Sequence, residues 1–215
     1  MQKCAAEVIG TFALVFAGTG AIVVNDITQG VISQVGIALT FGLVVMAMIY
    51  SFGDISGAHL NPAVTLGFWL AGRLPAADVA PYVASQIFGA LAGSVLVRVL
   101  FGPHPTLGAT LPTGSVGQSF LLEIVITFLL MVTILNVATG AKEKGATAGL
   151  AVGAVVAIAA LFAGPVSGAS MNPGRSLAPA LVSGQLQSVW IYLLAPALGS
   201  GLAVIVWRYS NRSSS

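Results

Sequence analysis

Charge is what this chain lacks. Of its 215 residues only 7% are Asp, Glu, Lys or Arg, while 57% are apolar. A soluble globular domain has about a quarter of its residues charged, so a soluble fold is excluded. An excess of either sign is missing too. The 8 Lys and Arg against 6 Asp and Glu give too small a balance to point to nucleic acid or an acidic partner. Cysteine is nearly absent: Cys4 stands alone, so no intrachain disulfide forms and the redox compartment is unreadable. With two His and one Cys, and no carboxylate near them at ligand or nucleophile spacing, the chain offers neither a metal site nor a catalytic group. No catalytic residue, metal or cofactor is expected. A cleavable leader is not expected either. The first apolar run, from Ala5, carries Glu7 and continues to Val24, long enough to stay as a span.

What the chain does have is apolar length. A transmembrane helix needs ~20 largely apolar residues, and six such stretches are present: Ala5 to Val24, Val31 to Ser51, Val79 to Phe101, Gln118 to Ala138, Ala146 to Phe162 and Ser188 to Arg208. Residues 1–215 thus read as a single all-α membrane domain. Under a six-span topology Lys3, Arg73, Lys142, Lys144, Arg208 and Arg212 all fall on one side. Basic residues stay cytoplasmic, which puts both termini inside a multi-pass protein of the cell membrane. Arg98 and Arg175 are left over. The connection from Gly102 to Gly117 is rich in Pro, Gly and Thr and reads as an extracellular loop.

Two connections do not read as loops. Ile55 to Gly72 and Val166 to Gly184 are long, moderately apolar and too short to cross a bilayer, the mark of re-entrant segments. Irregular backbone survives at membrane depth only where it lines a cavity or is buried in protein. Both segments open with one phrase, Ser56-Gly57-Ala58-His59-Leu60-Asn61-Pro62 and Ser167-Gly168-Ala169-Ser170-Met171-Asn172-Pro173. A second match pairs Glu7 to Phe12 with Glu123 to Phe128. The chain is therefore an internal repeat of approximately residues 1–101 and 118–208. Each half holds three spans, an odd number, so the second half must be inverted relative to the first. Inverted repeats place the functional site near the bilayer midplane.

The repeated phrase has a mechanical meaning. Asn is a strong helix N-cap, and Pro at the first helical position loses no hydrogen bond. Asn61-Pro62-Ala63 and Asn172-Pro173-Gly174 each start a short helix, and the Gly, Ala and Ser before them let the incoming backbone lie extended. Two such half-helices would meet N-terminus to N-terminus, each bringing about half a positive charge. That centre repels cations, while Asn N–H groups can serve a neutral solute. Arg175 lies in the first turn, where its charge opposes the dipole and is costly at membrane depth. Function explains it better than stability does.

These motifs resemble the major intrinsic protein (aquaporin/aquaglyceroporin) family along essentially the whole chain, most specifically in Asn61-Pro62-Ala63 and Asn172-Pro173-Gly174-Arg175. The resemblance implies six tilted helices plus two half-helices, one pore per protomer and a homotetramer in the lipid bilayer. It also implies passive flow of water and small neutral solutes, with protons and ions excluded. It assigns an outer constriction to Phe41, Ala160, Ala169 and Arg175. Strict water channels resemble one another in having a His and a polar or small residue where this chain has Ala160 and Ala169. Phe41, where glycerol channels tend to have Trp, and Ser176, where they carry Asp, look water-type. The run from Ala163 to Pro173 resembles the nodulin-26-like branch and its bacterial relatives, which implies glycerol or metalloid hydroxides such as arsenite as permeants. One departure is plain: Gly174 replaces Ala in the second motif.

Other residues are weaker signals. The family suggests that Glu7 and Glu123, at equivalent repeat positions, accept hydrogen bonds from the re-entrant backbone. His59 sits at the cytoplasmic vestibule beside Asn61, and pore lining, gating and plain packing all remain open for it. His104 is expected to be solvated in the outer loop. Gly89 and Gly93, and Gly145, Gly149 and Gly153, recur at a spacing that lets helices approach closely. Two other classes compete with the channel. A secondary transporter of a small neutral solute also uses inverted repeats but needs an ion-coupling site, for which only Glu7 and Glu123 lie within the spans. An intramembrane enzyme lacks any supporting residue cluster, and a purely structural adhesion protein would show as flux-dead tetramers.

Overall fold

The structure, a computed structural model, describes residues 1–138 and 147–211. Lys142, Lys144, Gly145 and Arg212 lie outside the described residues. In chain order the helices are α1 (Gln2–Ile27), α2 (Ser33–Ser56), α3 (Pro62–Leu70), α4 (Ala76–Phe101), α5 (Val116–Val137), α6 (Ala148–Ser167), α7 (Pro173–Ser183) and α8 (Val189–Asn211). No strand occurs among the described residues. Six helices are long and apolar enough to cross a membrane. The other two, α3 and α7, are the short helices opened by the two Asn-Pro pairs.

The spans match the six expected stretches, with informative differences at their ends. α2 and α6 each run a further turn, to Ser56 and Ser167, and stop on Gly57 and Gly168 in the left-handed conformation. The shared Ser-Gly is thus a helix C-cap, which glycine can form without a Cβ penalty. α6 continues through Pro165. Because the helices are longer than the expected spans, Asp26, Asp54 and Asp78 now fall within α1, α2 and α4. Glu7 and Glu123 are the carboxylates buried among the described residues.

Packing follows the repeat. α1 lies along α4 and α5 along α8, while α2 and α6 pair across the two halves. Each short helix leans on the long helix of the other half: α3 on α8, α7 on α4. Small residues set these approaches. A Cβ on Gly89 would run into the carbonyl oxygen of Val8 and lie 3.1 Å from the Phe12 nitrogen. Its counterpart Gly199 would meet the carbonyl of Ile124 in the same way, 3.0 Å from the Phe128 nitrogen. At the α2–α6 crossing, a Cβ on Gly42 would come to 2.6 Å from Gly153 O, and one on Gly153 to 2.7 Å from Gly42 O. Such backbone contact is how helices associate where lipid removes the hydrophobic drive. Long apolar side chains such as Phe88, Leu129, Ile158 and Ile205 remain exposed on the rim, as lipid-facing positions require.

Candidate functional site

The site begins with two carboxylates. Glu7 of α1 accepts from Ser56 Oγ (2.7 Å), His59 N (2.9 Å), Leu60 N (2.7 Å) and Gln86 Nε2 (2.7 Å). Glu123 of α5 accepts from Ser167 Oγ (2.7 Å), Ser170 N (2.9 Å) and Met171 N (2.9 Å). Both are fully buried. These bonds hold backbone that would otherwise be unfavourable: Ala58, Leu60, Ala169 and Met171 all have positive φ, between 42° and 53°. Non-glycine residues there cost on the order of 1–3 kcal/mol each. The geometry has a purpose that the peptide plane makes readable. A trans peptide points its C=O opposite to its N–H, and no peptide here is cis. With the N–H groups of His59, Leu60, Ser170 and Met171 aimed at the glutamates, the carbonyls of Ala58, His59, Ala169 and Ser170 are turned the other way. All four of those residues line a cavity between the halves.

The two Asn side chains hold the centre. Asn61 Oδ1 accepts from Ala63 N at 2.9 Å, and Asn172 Oδ1 from Gly174 N (2.9 Å) and Arg175 N (3.2 Å). Their amides cross between the repeats: Asn61 Nδ2 donates to Met171 O at 2.7 Å and Asn172 Nδ2 to Leu60 O at 2.9 Å. The N-termini of α3 and α7 therefore face each other. Each amide has two N–H groups, so one per Asn is spent on this lock and one is left for the cavity that both side chains line.

Phe41, Ala160, Ala169 and Arg175 line that same cavity from four different elements. All four are nearly buried. The Arg175 guanidinium lies 4.9 Å from the centre of the Phe41 ring, and its Nη1 donates to Gly108 O at 2.7 Å. Its Nε, itself buried, has no hydrogen-bond partner among the described residues. Phe41 is seated by Gly18 of α1, where any side chain would collide with the ring. The rest of the lining is largely apolar, including Leu14, Val45, Ile49, Val64, Leu130, Ile134, Val152 and Val156. The cavity measures about 110 Å³, room for several waters at on the order of 10–15 Å³ each. At one end it shares Ile49, Gly57, His59, Phe68, Ala138 and Ala148 with a wider vestibule of about 710 Å³. A narrow cavity lined by a few polar groups among apolar side chains is an arrangement for passing small hydrogen-bonding molecules.

Comparison with known proteins places this geometry. The profile of the major intrinsic protein family matches residues 1–207. This chain belongs to the major intrinsic protein family. It is 50% identical over 195 residues to Aquaporin NIP1-1 of Zea mays, covering 90% of this chain and 69% of that protein. It is 47% identical over 203 residues to Aquaporin NIP1-2 of Arabidopsis thaliana, covering 91% of this chain and 69% of that protein. Among solved structures, the aquaglyceroporin from Plasmodium falciparum superposes with a TM-score of 0.84 at 26% identity, covering 96% of this chain and 94% of that one. As a family member the chain is an integral multi-pass membrane protein and a passive channel for water and small neutral solutes, not an enzyme.

Several contributors to this channel were not anticipated. Gln86 joins Glu7 to Thr65, donating to Thr65 Oγ1 at 2.8 Å. His59, unlike these, was expected at the vestibule; it lines both cavity and vestibule, with Nδ1 3.2 Å from the same Thr65 oxygen and its ring stacked on Phe68 at 4.4 Å. Tyr82 and Tyr192 donate to Ser56 O (2.8 Å) and Ser167 O (2.6 Å). They stand at the same repeat offset as Gly89 and Gly199, a match that a longer self-alignment would have exposed. Thr110 donates to Ser176 Oγ at 2.7 Å, so the connection between α4 and α5 dips in to hold the Arg175 turn. Gln34 donates to Ala160 O at 2.7 Å and bridges α2 to α6. The expectation for His104 is overturned. Its Nδ1 accepts from Thr106 N (3.3 Å) and Leu107 N (3.0 Å), its Nε2 lies 3.3 Å from Asp26, and its side chain is only 10% exposed. A loop that re-enters the protein needs acceptors for its own N–H groups, and His104 supplies one.

Proposed function

We propose that this channel carries glycerol and uncharged metalloid hydroxides such as arsenious acid as well as water, with Phe41, Ala160, Ala169 and Arg175 as its selectivity constriction and the paired Asn-Pro motifs as its barrier to ions and protons. One observation carries the reading. Arg175 lies against the Phe41 ring, while the remaining two corners are the methyl groups of Ala160 and Ala169. The opening is therefore bounded on two sides by the smallest side chains available short of glycine. Charged solutes are rejected because the buried guanidinium repels cations, and an ion cannot replace its hydration in a partly apolar ring. The similarity to the Plasmodium aquaglyceroporin supports the same solute range.

The rest of the assembly follows as part of this proposal. The chain is a single channel domain of two inverted repeats, approximately 1–101 and 118–208. It works as a homotetramer in the cell membrane with one pore per protomer and both termini cytoplasmic. Lys3, Arg73 and Arg208 support that orientation. Lys3 pairs with Asp78 at 3.9 Å, Arg73 lies 5.7 Å from the Trp207 ring, and Arg208 bonds to Leu70 O, so all three gather at one end. A coupled transporter is disfavoured, since both buried carboxylates are occupied by hydrogen bonds to the protein itself.

Stopped-flow swelling of liposomes holding the purified protein tests the proposal. Shrinkage in sucrose reports water, and reswelling in glycerol or arsenious acid reports the larger solutes. Conduction of all three without proton leak is expected. Water conduction with both larger solutes excluded would overturn the wide constriction.

A further inference from the structure

Arg98 is the charge that the topology leaves unexplained, a cation on the face where basic residues are disfavoured. The structure supplies its partner. Its Nη1 donates at 2.7 Å to the carbonyl of Val182, in the last turn of α7. At the other end of the molecule Arg208 donates to the carbonyl of Leu70, the last residue of α3. The two arginines are repeat counterparts. They stand at the offset that also relates Tyr82 to Tyr192 and Gly89 to Gly199, and each lies in the last turn of its own helix, α4 or α8. In both cases the bond crosses between halves, because α7 leans on α4 and α3 on α8.

The chemistry of a half-helix explains the need. The last carbonyls of any helix have no partner within it, and its C-terminal end carries about half a negative charge. With 9 and 11 residues, α3 and α7 are shorter than the roughly 12–15 residues at which a helix begins to hold by itself. Their inner ends are fixed by the Asn lock. Their outer ends have these arginines, whose charge has the right sign for that end of the dipole.

We propose that Arg98 and Arg208 are positioning residues for conduction, a matched pair of clamps that hold the outer ends of the two half-helices so that Asn61, Asn172 and Arg175 stay in register. The pair is not equivalent in effect. α7 carries Arg175, whereas α3 carries no constriction residue, so Arg98 tunes selectivity and Arg208 tunes only throughput. This rests on the proposed pore assignment. Wild-type flux tests that assignment separately, and the clamps are judged only by variants against wild type.

The experiment measures water and glycerol permeability per folded channel for Arg98→Gln, Arg98→Lys, Arg208→Gln and Arg208→Lys in liposomes. Arg98→Gln is expected to change the glycerol-to-water ratio by about two- to fivefold, the range a charge at a helix terminus carries. Arg208→Gln should lower both permeabilities together, and each Lys variant should restore most of the wild-type behaviour, which a packing role would not predict. If a Gln variant fails to fold, its Lys variant decides: a folded channel with wild-type ratio and rate supports the clamp, and a folded but defective one overturns it. Wild-type ratio and rate in both Gln variants would also overturn it.

Discussion

Gly174 leaves the second half-helix less stiff than it could be. A Cβ there would sit 3.4 Å from Asn172 Oδ1, 3.5 Å from Pro62 Cδ and 3.7 Å from Ile87 Cδ1, ordinary contact distances. Glycine in a helix costs roughly 0.5–1 kcal/mol against alanine, so Gly174→Ala is expected to raise the melting temperature of the detergent-solubilised protein while leaving swelling rates unchanged. A fall in stability would show that the junction of the half-helices has no room for the methyl. Ala160 poses the opposite question. It lines the cavity and is 5% exposed, so an imidazole placed there must project into the opening. Ala160→His should reduce glycerol permeability by about tenfold, equivalent to ~1.4 kcal/mol, and water permeability much less. Equal losses of both would mean that the ring blocks the pore instead of narrowing it. At this scale the sequence was readable where a residue type contradicts its surroundings. Arg175 in a first helical turn and Asn-Pro twice over were such signals. Gly18, Gln86 and Gln34 were not, because each acts through a partner distant in the chain.

At the scale of the element, the re-entrant segments are held open by side chains from elsewhere. Removing the Glu123 carboxylate leaves Ser170 N, Met171 N and Ser167 Oγ without their acceptor, at about 1–3 kcal/mol for each buried orphan. Glu123→Ala should therefore lower yield and thermal stability sharply in fluorescence-detected gel filtration. Glu123→Gln, which keeps one acceptor oxygen, should lose less. Equal behaviour of the two would mean that the carboxylate's charge matters rather than its acceptors. The helix crossings are equally sensitive. Gly199→Val would drive a side chain into the carbonyl of Ile124 and should abolish the monodisperse peak altogether. Element types were legible because apolar length and N-caps are local properties. Helix ends were less so. α2 and α6 outran the expected stretches because a shared Ser-Gly acts as a C-cap only where a buried glutamate captures the N–H groups beyond it.

At the scale of the whole molecule, orientation is the open consequence of charge. If Lys3, Arg73 and Arg208 mark the cytoplasmic face, the connection between α4 and α5 faces outward. In a Cys4→Ser background, Pro103→Cys should react with a membrane-impermeant maleimide on intact cells, and Ala77→Cys only after permeabilisation. The reverse pattern would invert the topology. The sequence by itself determined that this is a six-span membrane protein in which one Ser-Gly-Ala to Asn-Pro phrase occurs twice, each copy opening an Asn-capped short helix, because length, apolarity and repetition are written along the chain. Only the tertiary structure decided that α3 leans on α8 and α7 on α4, that Arg175 lies against Phe41, that the carbonyls of Ala58, His59, Ala169 and Ser170 turn toward the cavity, and that Arg98 meets Val182. Those are relations between the two halves, set by which backbone groups remain unpaired when the copies are brought together, and no local pattern within either half specifies them.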